Sequence, residues 1–554
     1  MRLFHKTDKR SLFFLNITQF LGAMNDNFFK FVLVYFLINV KGAAFASSIL
    51  AAAGAVFVIP FLLFSSAAGV WADKISKRNI IIFTKIAELL FMMLSLFAVY
   101  FKSEVALYAL LFGMAAQSAV FGPSKYGIIP EIVESKDVSK ANGLLSSFTY
   151  LAIIVGTFLA SSITDLTNKN FLLTDLGCLL IAIIGLSTSF SIAKTIPKGS
   201  KKKANIFFVY EIYQTLAMTT KKPHLLINIF GSSFFLFLGG FAQLNAIPYA
   251  MKELNLSEVG GGYLFLLTAV GIAIGSILAG KISKERVETG LACVGGFLLG
   301  IMFILLYFVS HNMILALIVL VLLGICGGLF LIPLDSYIQL KSPDHTRGQV
   351  IAASNFLSFV GVLAASFCLY LFNDKLSLSP AASFAIMGVV TLIFTFMISG
   401  FMSDLFLPFF VQRIYVHLFK VKMETSPDTT SILIFEKGSW KEVLLLYAFL
   451  PDLKIFVMGK FFKNFPFFNG FINTIILLEK GDNSNIVKEL KKRDSYACIF
   501  SKSKINTEEF KSGFLFHRPQ FTFVKVEKQH EKHSFLGFSY KRKVYAYSFP
   551  RENV

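Results

Sequence analysis

From the N-terminus to about Met402 the chain alternates between long apolar runs and short polar links. Each run has about 20 residues, the length at which a helix rising 1.5 Å per residue crosses a hydrocarbon layer of roughly 30 Å. The runs centre near residues 25, 58, 90, 113, 153, 182, 237, 270, 299, 322, 361 and 394, which predicts twelve transmembrane helices. From about Arg413 the apolar runs shorten to strand length: SILIF (Ser431 to Phe435), KIFVMG (Lys454 to Gly459), TIILL (Thr474 to Leu478), YACIF (Tyr496 to Phe500) and FTFVKVE (Phe521 to Glu527). Helical patterns, WKEVLLLYAFL and NIVKELKKRD, lie between them. Such alternation predicts a small α/β domain behind an all-α membrane domain.

The membrane part repeats itself. ADKISK (Ala72 to Lys77) returns as AGKISK (Ala279 to Lys284), 207 residues later. FGPSKY from Phe121 has a counterpart in LIPLDS from Leu331, and SSFTYLAIIVG from Ser146 in SNFLSFVGVLA from Ser354, in the same order. Parallel repeats of six helices joined by a basic loop predict two bundles with a substrate site between them near the bilayer midplane. The expected division is 1–410 for the membrane domain, in halves 1–193 and 223–410 with linker 194–222, and 411–554 for the tail.

Composition agrees with a bilayer as solvent. The chain is 55% hydrophobic with 64 phenylalanines and a mean hydropathy of +0.66. Charged residues make up 16%, against about 25% in soluble proteins. A net charge of +20 would suit nucleic acid if it formed one patch. It does not: Lys and Arg occupy alternate links, at Asp73 to Arg78, Pro123 to Lys140, Lys194 to Asn205, Lys281 to Glu288 and Lys341 to Gln349. The other links are short and poor in both. This asymmetry predicts that both termini are cytoplasmic and excludes nucleic acid as partner. The cysteines show no CxxC spacing, so neither disulfide nor metal site nor cofactor is expected. The start, MRLFHKTDKR, leads into a run long enough to span and without a small-residue cleavage site, so no cleavable signal is expected.

Charges within or beside the spans carry the candidate chemistry. In GVWADKISKR, Gly69 permits close helix packing, and Asp73 can face a helix N-terminus or a basic residue of a neighbouring helix. A contact of that kind locks one gate state and breaks in the other. Lys74 and Arg78 belong to the same loop. The repeat carries Gly280 in place of Asp73, so the second copy is partial. In the first span Gln19, Ala23, Asp26 and Lys30 share a helix face. Asp26 lies about 20 Å along it, where a charge is costly and expected to serve a substrate headgroup or coupling ion. An internal Asp26–Lys30 pair at i, i+4 is the alternative. Gln243 and Asn245 in the pseudo-symmetric seventh span are expected to form an opposing wall. Gly271, Gly275, Gly280, Gly324, Gly327 and Gly328 read as helix-packing positions.

The run Gly69 to Arg78 matches the signature of the major facilitator superfamily, G-x-x-x-D-[RK]-x-[GS]-[RK]-[RK]. FLGAMNDNFFK, FGPSKYGIIPE, GIAIGSILAGKISKERVETG and GGLFLIPLDSYIQLKSPDHTRGQVIAASNF resemble its bacterial lysophospholipid transporter branch, over residues 10 to 405. The resemblance implies the major facilitator fold. It also implies movement of lysophospholipid, mainly lysophosphatidylethanolamine, across the inner membrane to the cytoplasmic leaflet for re-acylation. By it, Asn25, Asp26, Asn27 and Lys30 carry the first-helix motif, Lys125, Tyr126 and Glu131 the fourth, and Arg347 and Asn355 the eleventh. Glu131 and Arg347 are expected in gating with Gly69, Asp73, Lys74 and Arg78. Ser146 stands where the branch usually has an acidic residue after A-N-x-L-L.

The tail resembles the acyltransferase domain of bifunctional phospholipid-repair fusions, whose N-H-x-S-W-x-D supplies a general base. Here EKGSWKE places Lys437 for the His and Glu442 for the Asp, and FSKS, with Lys502, replaces F-P-E-G. A lysine is a poor base unless its pKa falls by several units. The tail is therefore expected to be catalytically silent and to bind membrane lipid or a separate acyltransferase. The alternatives are an active, altered acyltransferase and a transporter of another amphiphile or metabolite.

Overall fold

Long uninterrupted helices follow from the apolar runs, because only a backbone bonded to itself is stable in hydrocarbon. The computed structural model describes residues 8–42, 45–197, 199–200, 208–256, 258–283 and 287–411, and in the tail the strands and Leu446. The first half contains α1 (Lys9–Lys41), α2 (Ala46–Lys74), α3 (Lys77–Tyr100), α4 (Glu104–Gly127), the short α5 (Ile129–Ile132), α6 (Val138–Leu166) and α7 (Phe171–Ser189). A connecting helix, α8 (Phe208–Thr219), precedes α9 (Pro223–Lys252), α10 (Glu258–Ile282), α11 (Thr289–Phe308), α12 (Met313–Lys341), α13 (Arg347–Tyr370), α14 (Pro380–Phe401) and α15 (Ser403–Phe410). Twelve of these are long and apolar enough to cross a membrane. Side-chain caps set several starts: Asp8 accepts from the Ser11 amide at 3.0 Å, and Asn312 from the Leu315 amide at 3.1 Å.

Helix α8 falls in the segment expected to be a plain linker. Its twelve residues are amphipathic and too short to register as a span. Buried Glu211 accepts from Ser66 Oγ of α2 at 2.5 Å, and Phe208 packs against Phe356 of α13.

In the first half α1 packs on α6 and α7, α2 on α4, and α3 on α4 and α7. In the second, α9 packs on α10, α12 and α13, and α10 on α12. The α10–α12 crossing is close because glycines meet there. A Cβ on Gly271 would lie 2.2 Å from the Val321 carbonyl oxygen, and one on Gly324 2.1 Å from that of Thr268. The halves meet through α2 with α13 and α6 with α10. The starts of α1, α3, α6 and α13 and the ends of α2, α10 and α12 share one end of the bundle, which carries most of the Lys and Arg links. It is called the basic end below.

By contacts the chain forms two units, 1–287 with 294–393, and 288–293 with 394–554. In the second, β2 (Ser431–Glu436), β3 (Leu453–Met458), β4 (Ile475–Leu478), β5 (Tyr496–Ser501) and β6 (Gln520–Phe523) form a parallel sheet in the order β4-β3-β5-β2-β6. β1 (Lys420–Met423) pairs parallel with β8 (Phe538–Ser548), which pairs antiparallel with β7 (Lys525–Phe535). The tail's two expected helical patterns and the positions Lys437, Glu442 and Lys502 lie outside the described residues.

Candidate functional site

At the basic end the chain must bring two bundles together without exposing helix termini. Asp73, at the end of α2, is fully buried against the start of α13. Its Oδ1 accepts from the Gly348 amide at 2.7 Å, and its Oδ2 from the amide and side-chain Nε2 of Gln349, both at 3.1 Å. These amides belong to the first turn of a helix, where no intrahelical acceptor exists and the dipole favours an anion. Gly69, one turn earlier, makes the approach possible: a Cβ there would lie 2.6 Å from Cβ of Ala352 and 2.8 Å from the Gly348 carbonyl oxygen. Of the two partners open to Asp73 in the sequence, the structure supplies the helix N-terminus.

The repeat-related contact joins α10 to α6 and has no carboxylate. Gly280 lies on the backbone of Ser139 and Lys140, and Gly143 on the Ser276 carbonyl. Asn142, on the next turn of α6, donates to Ser336 Oγ and Gln339 Oε1, both at 3.0 Å, and accepts from Gln339 Nε2 at 2.9 Å. Close packing and an amide pair stand where the first copy has Asp73.

The remaining basic-end candidates bond within their own halves. Lys77 pairs with Glu131 at 2.7 Å. Arg78 donates to the Ile192 and Phe190 carbonyls beyond α7. Arg347 donates to the Gln339 carbonyl and to Asp344. Lys74 is half-buried.

The first-helix polar residues engage several neighbours. Gln19 donates to the Leu145 carbonyl and accepts from Thr149. Asn25 donates to Glu88 Oε1 at 2.8 Å, and Glu88 Oε2 accepts from Lys85 at 2.5 Å. Gly22 makes room for that lysine: a Cβ there would meet its Nζ at 2.2 Å. Asp26 accepts from Ser118 of α4 at 2.7 Å, and Lys85 and Lys125 lie within electrostatic reach of it. Asn27 bonds back to the Ala23 carbonyl, and Lys30 donates to Asn27 at 3.4 Å over the rings of Phe31 and Phe57. The Asp26–Lys30 ion pair is not formed, because the carboxylate turns to α4 instead. Lys125 sits over the rings of Phe121 and Tyr126.

Between the halves lies a cavity of about 190 Å³. Its walls come from α4, α6, α9, α12 and α13, with Tyr126, Tyr150, Ser232, Asp335, Ser354 and Asn355 among the polar side chains. Tyr126 and Asn355 are candidates the sequence named. Gln19, Asn25, Asp26, Asn27 and Lys30 do not line it. Gln243 and Asn245 do not form its wall on α9. Two residues apart, they point about 200° apart around a helix: Gln243 is exposed, and Asn245 is buried and donates to the Pro380 carbonyl. Ser232 and Leu236 take that place. Ser146 lines the same cavity as Asp335, so the acidic group there comes from α12. Lys85, Glu88, Asn142 and Asp335 escaped the sequence reading. Each charged one interrupts an apolar run, which was the available signal.

Comparison with known proteins gives this geometry a context. The family model described as Major Facilitator Superfamily matches residues 15–366. The lysophospholipid transporter LplT of Photorhabdus laumondii is 25% identical over 352 residues, covering 63% of this chain and 84% of that protein. That of Enterobacter sp. is 26% identical over 343 residues, covering 61% and 82%. Among solved structures, the human organic anion transporter MFSD10 (TETRAN) superposes with a TM-score of 0.59 at 14% identity, over 70% of this chain and 99% of that one. The E. coli fucose:proton symporter FucP gives 0.55 at 16% identity, over 70% and 98%. At these identities the two structures speak to fold alone.

Proposed function

Because the chain belongs to the Major Facilitator Superfamily, and is a multi-pass membrane protein with twelve candidate spans, we propose that it moves lysophospholipid across a bacterial inner membrane to the cytoplasmic leaflet. The observation that carries this reading is the cavity between the halves, polar on both walls and closed at the basic end by Asp73 and Asn142. Such a site is reached from one side at a time, and breaking the Asp73 contact opens the other. The similarity to proteins named lysophospholipid transporters supplies the substrate class.

In this reading the basic end faces the cytoplasm. Asp73, with Gly69, is the gate, and Lys74, Arg78, Glu131 and Arg347 shape the helix ends around it. Lys125, beside cavity-lining Tyr126, meets the substrate phosphate. Asp26, with Lys85 and Glu88, forms the charged pathway of the first half. The test is translocation of lysophosphatidylethanolamine into liposomes holding the full chain. Uptake no faster than in protein-free liposomes would remove the assignment.

The tail, residues 411–554, is proposed as an acyltransferase-like domain without the reaction. Lys437 replaces the base and Lys502 the phosphate-site carboxylate. It is proposed instead to hold anionic lipid or a separate acyltransferase through its lysines and arginines. Full-length protein given lysophospholipid and an acyl donor is expected to form no diacyl product. Product formation that disappears in Lys437→Ala would make the protein bifunctional.

A further inference from the structure

We propose that Asp335 is the counter-ion for an ammonium group on the transported amphiphile and so selects amine-bearing headgroups. The inference rests on the lysophospholipid reading and deepens it.

Helix α12 carries the most apolar stretch of the candidate spans, and Asp335 is its one charged residue before the terminal Lys341. An acidic group there is costly without a function or a partner. Its neighbours supply only part of a partner. Oδ1 accepts a hydrogen bond from Ser232 at 2.7 Å. Among the described residues no lysine, arginine or histidine forms an ion pair with it. Two other carboxylates in the spans have cations nearby. Glu88 is paired with Lys85, and Asp26 has Lys85 and Lys125 within electrostatic reach. Asp175 of α7 likewise has only a serine, Ser95, as its partner, but it does not line the cavity. Asp335 is therefore the cavity carboxylate whose charge is left for a ligand to balance.

The cavity suits such a ligand. Its other polar side chains are hydroxyls and amides, including Tyr126, Tyr150, Ser354, Asn355 and Gln339. These solvate an ammonium without competing for its charge, and the tyrosine rings add faces that attract a cation. The volume of about 190 Å³ equals roughly six waters at about 30 Å³ each. An aminoethyl group fits within it, with the phosphate left toward Lys125, which lies 5.0 Å from the centroid of the Tyr126 ring.

Position adds a consequence. Gln339, which holds Asn142 of the opposite half, lies one helical turn beyond Asp335 on the same face of α12 and lines the same cavity. An ammonium at Asp335 thus sits directly inside the closed interface.

The test is paired uptake of lysophosphatidylethanolamine and lysophosphatidylglycerol by proteoliposomes of the full chain. The wild type is expected to favour the amine lipid. Asp335→Asn, which keeps shape and an acceptor for Ser232, should lower the ratio of amine-lipid to glycerol-lipid uptake about tenfold or more. Asp335→Glu should retain the preference. Equal losses on both lipids in Asp335→Asn would assign the carboxylate a headgroup-independent duty, such as carrying a proton, and overturn the proposal. So would an unaltered preference. Displacement of a fluorescent lysophosphatidylethanolamine from detergent-solubilised protein by each lipid runs in parallel. If the wild type transports neither lipid, the transport reading fails, and the binding preference still decides. A preference absent from the wild type, or kept in Asp335→Asn, ends the claim about Asp335.

Discussion

At Asp73 one carboxylate accepts three hydrogen bonds from two residues of the opposite half, so its removal acts on the closed interface more than on either bundle. Hydrogen bonds to a charged group contribute about 1.5–3 kcal/mol. Asp73→Ala should therefore raise the share of molecules open at the basic end roughly ten- to a hundredfold. A cysteine at buried Ser139, in a background without the native cysteines, reads this as faster thiol labelling in inside-out vesicles. An unchanged rate would mean that Asp73 does not hold the gate. Asp26 makes a different case. Its bond to Ser118 survives in an amide, but its charge beside Lys85 and Lys125 does not. Asp26→Asn is expected to cut lysophospholipid uptake about tenfold or more while the protein still inserts and purifies normally. Full uptake would leave Asp26 a structural acceptor. Residues of this kind differ in how far the sequence reveals them. Asp73 sits in a ten-residue signature with its partner class implied. Lys85, Glu88 and Asp335 are visible as charges in apolar runs, but nothing in a run says which face a side chain takes or which helix will meet it.

The elements themselves were largely legible, because a bilayer imposes length and hydropathy together. What the pattern missed lies at polar ends. The tenth span centres near 322 in hydropathy, yet α12 runs on to Lys341, since Ser336 and Gln339 are held by Asn142. Helix α8 was missed because it is only twelve residues long and borders a lysine-rich link. The glycines of α10 and α12 read correctly as packing positions, and their contacts now give a magnitude. Gly275 has no room for a side chain: a Cβ would lie 2.1 Å from the Ile325 carbonyl oxygen, whereas Gly239 has nothing within 4 Å. Overpacking a tight contact costs about 1–3 kcal/mol or more. Gly275→Val should lower the melting temperature of purified protein clearly, and Gly239→Ala should leave it near wild type. Equal effects would mean that the α10–α12 crossing yields easily.

At the scale of the whole molecule, lysine and arginine concentrated on one set of links predict its orientation. Cysteines placed at Ser426 and Ser534 should stay unlabelled when intact cells meet an impermeant thiol reagent. Labelling from outside would invert the topology and place the Asp73 gate on the other face. The chemistry of the Asp73 contact has a consequence for how salt should affect it. Mobile ions weaken attraction between exposed charges over about 8 Å at physiological ionic strength, but they reach buried groups far less. Asp73 is closed off from solvent and bonded to amides, and Asn142 holds its partners through neutral groups. A seal made this way draws little on attractions that dissolved salt can screen. If Asp73 and Asn142 close the basic end as proposed, the share of molecules closed there should change little between low and high salt.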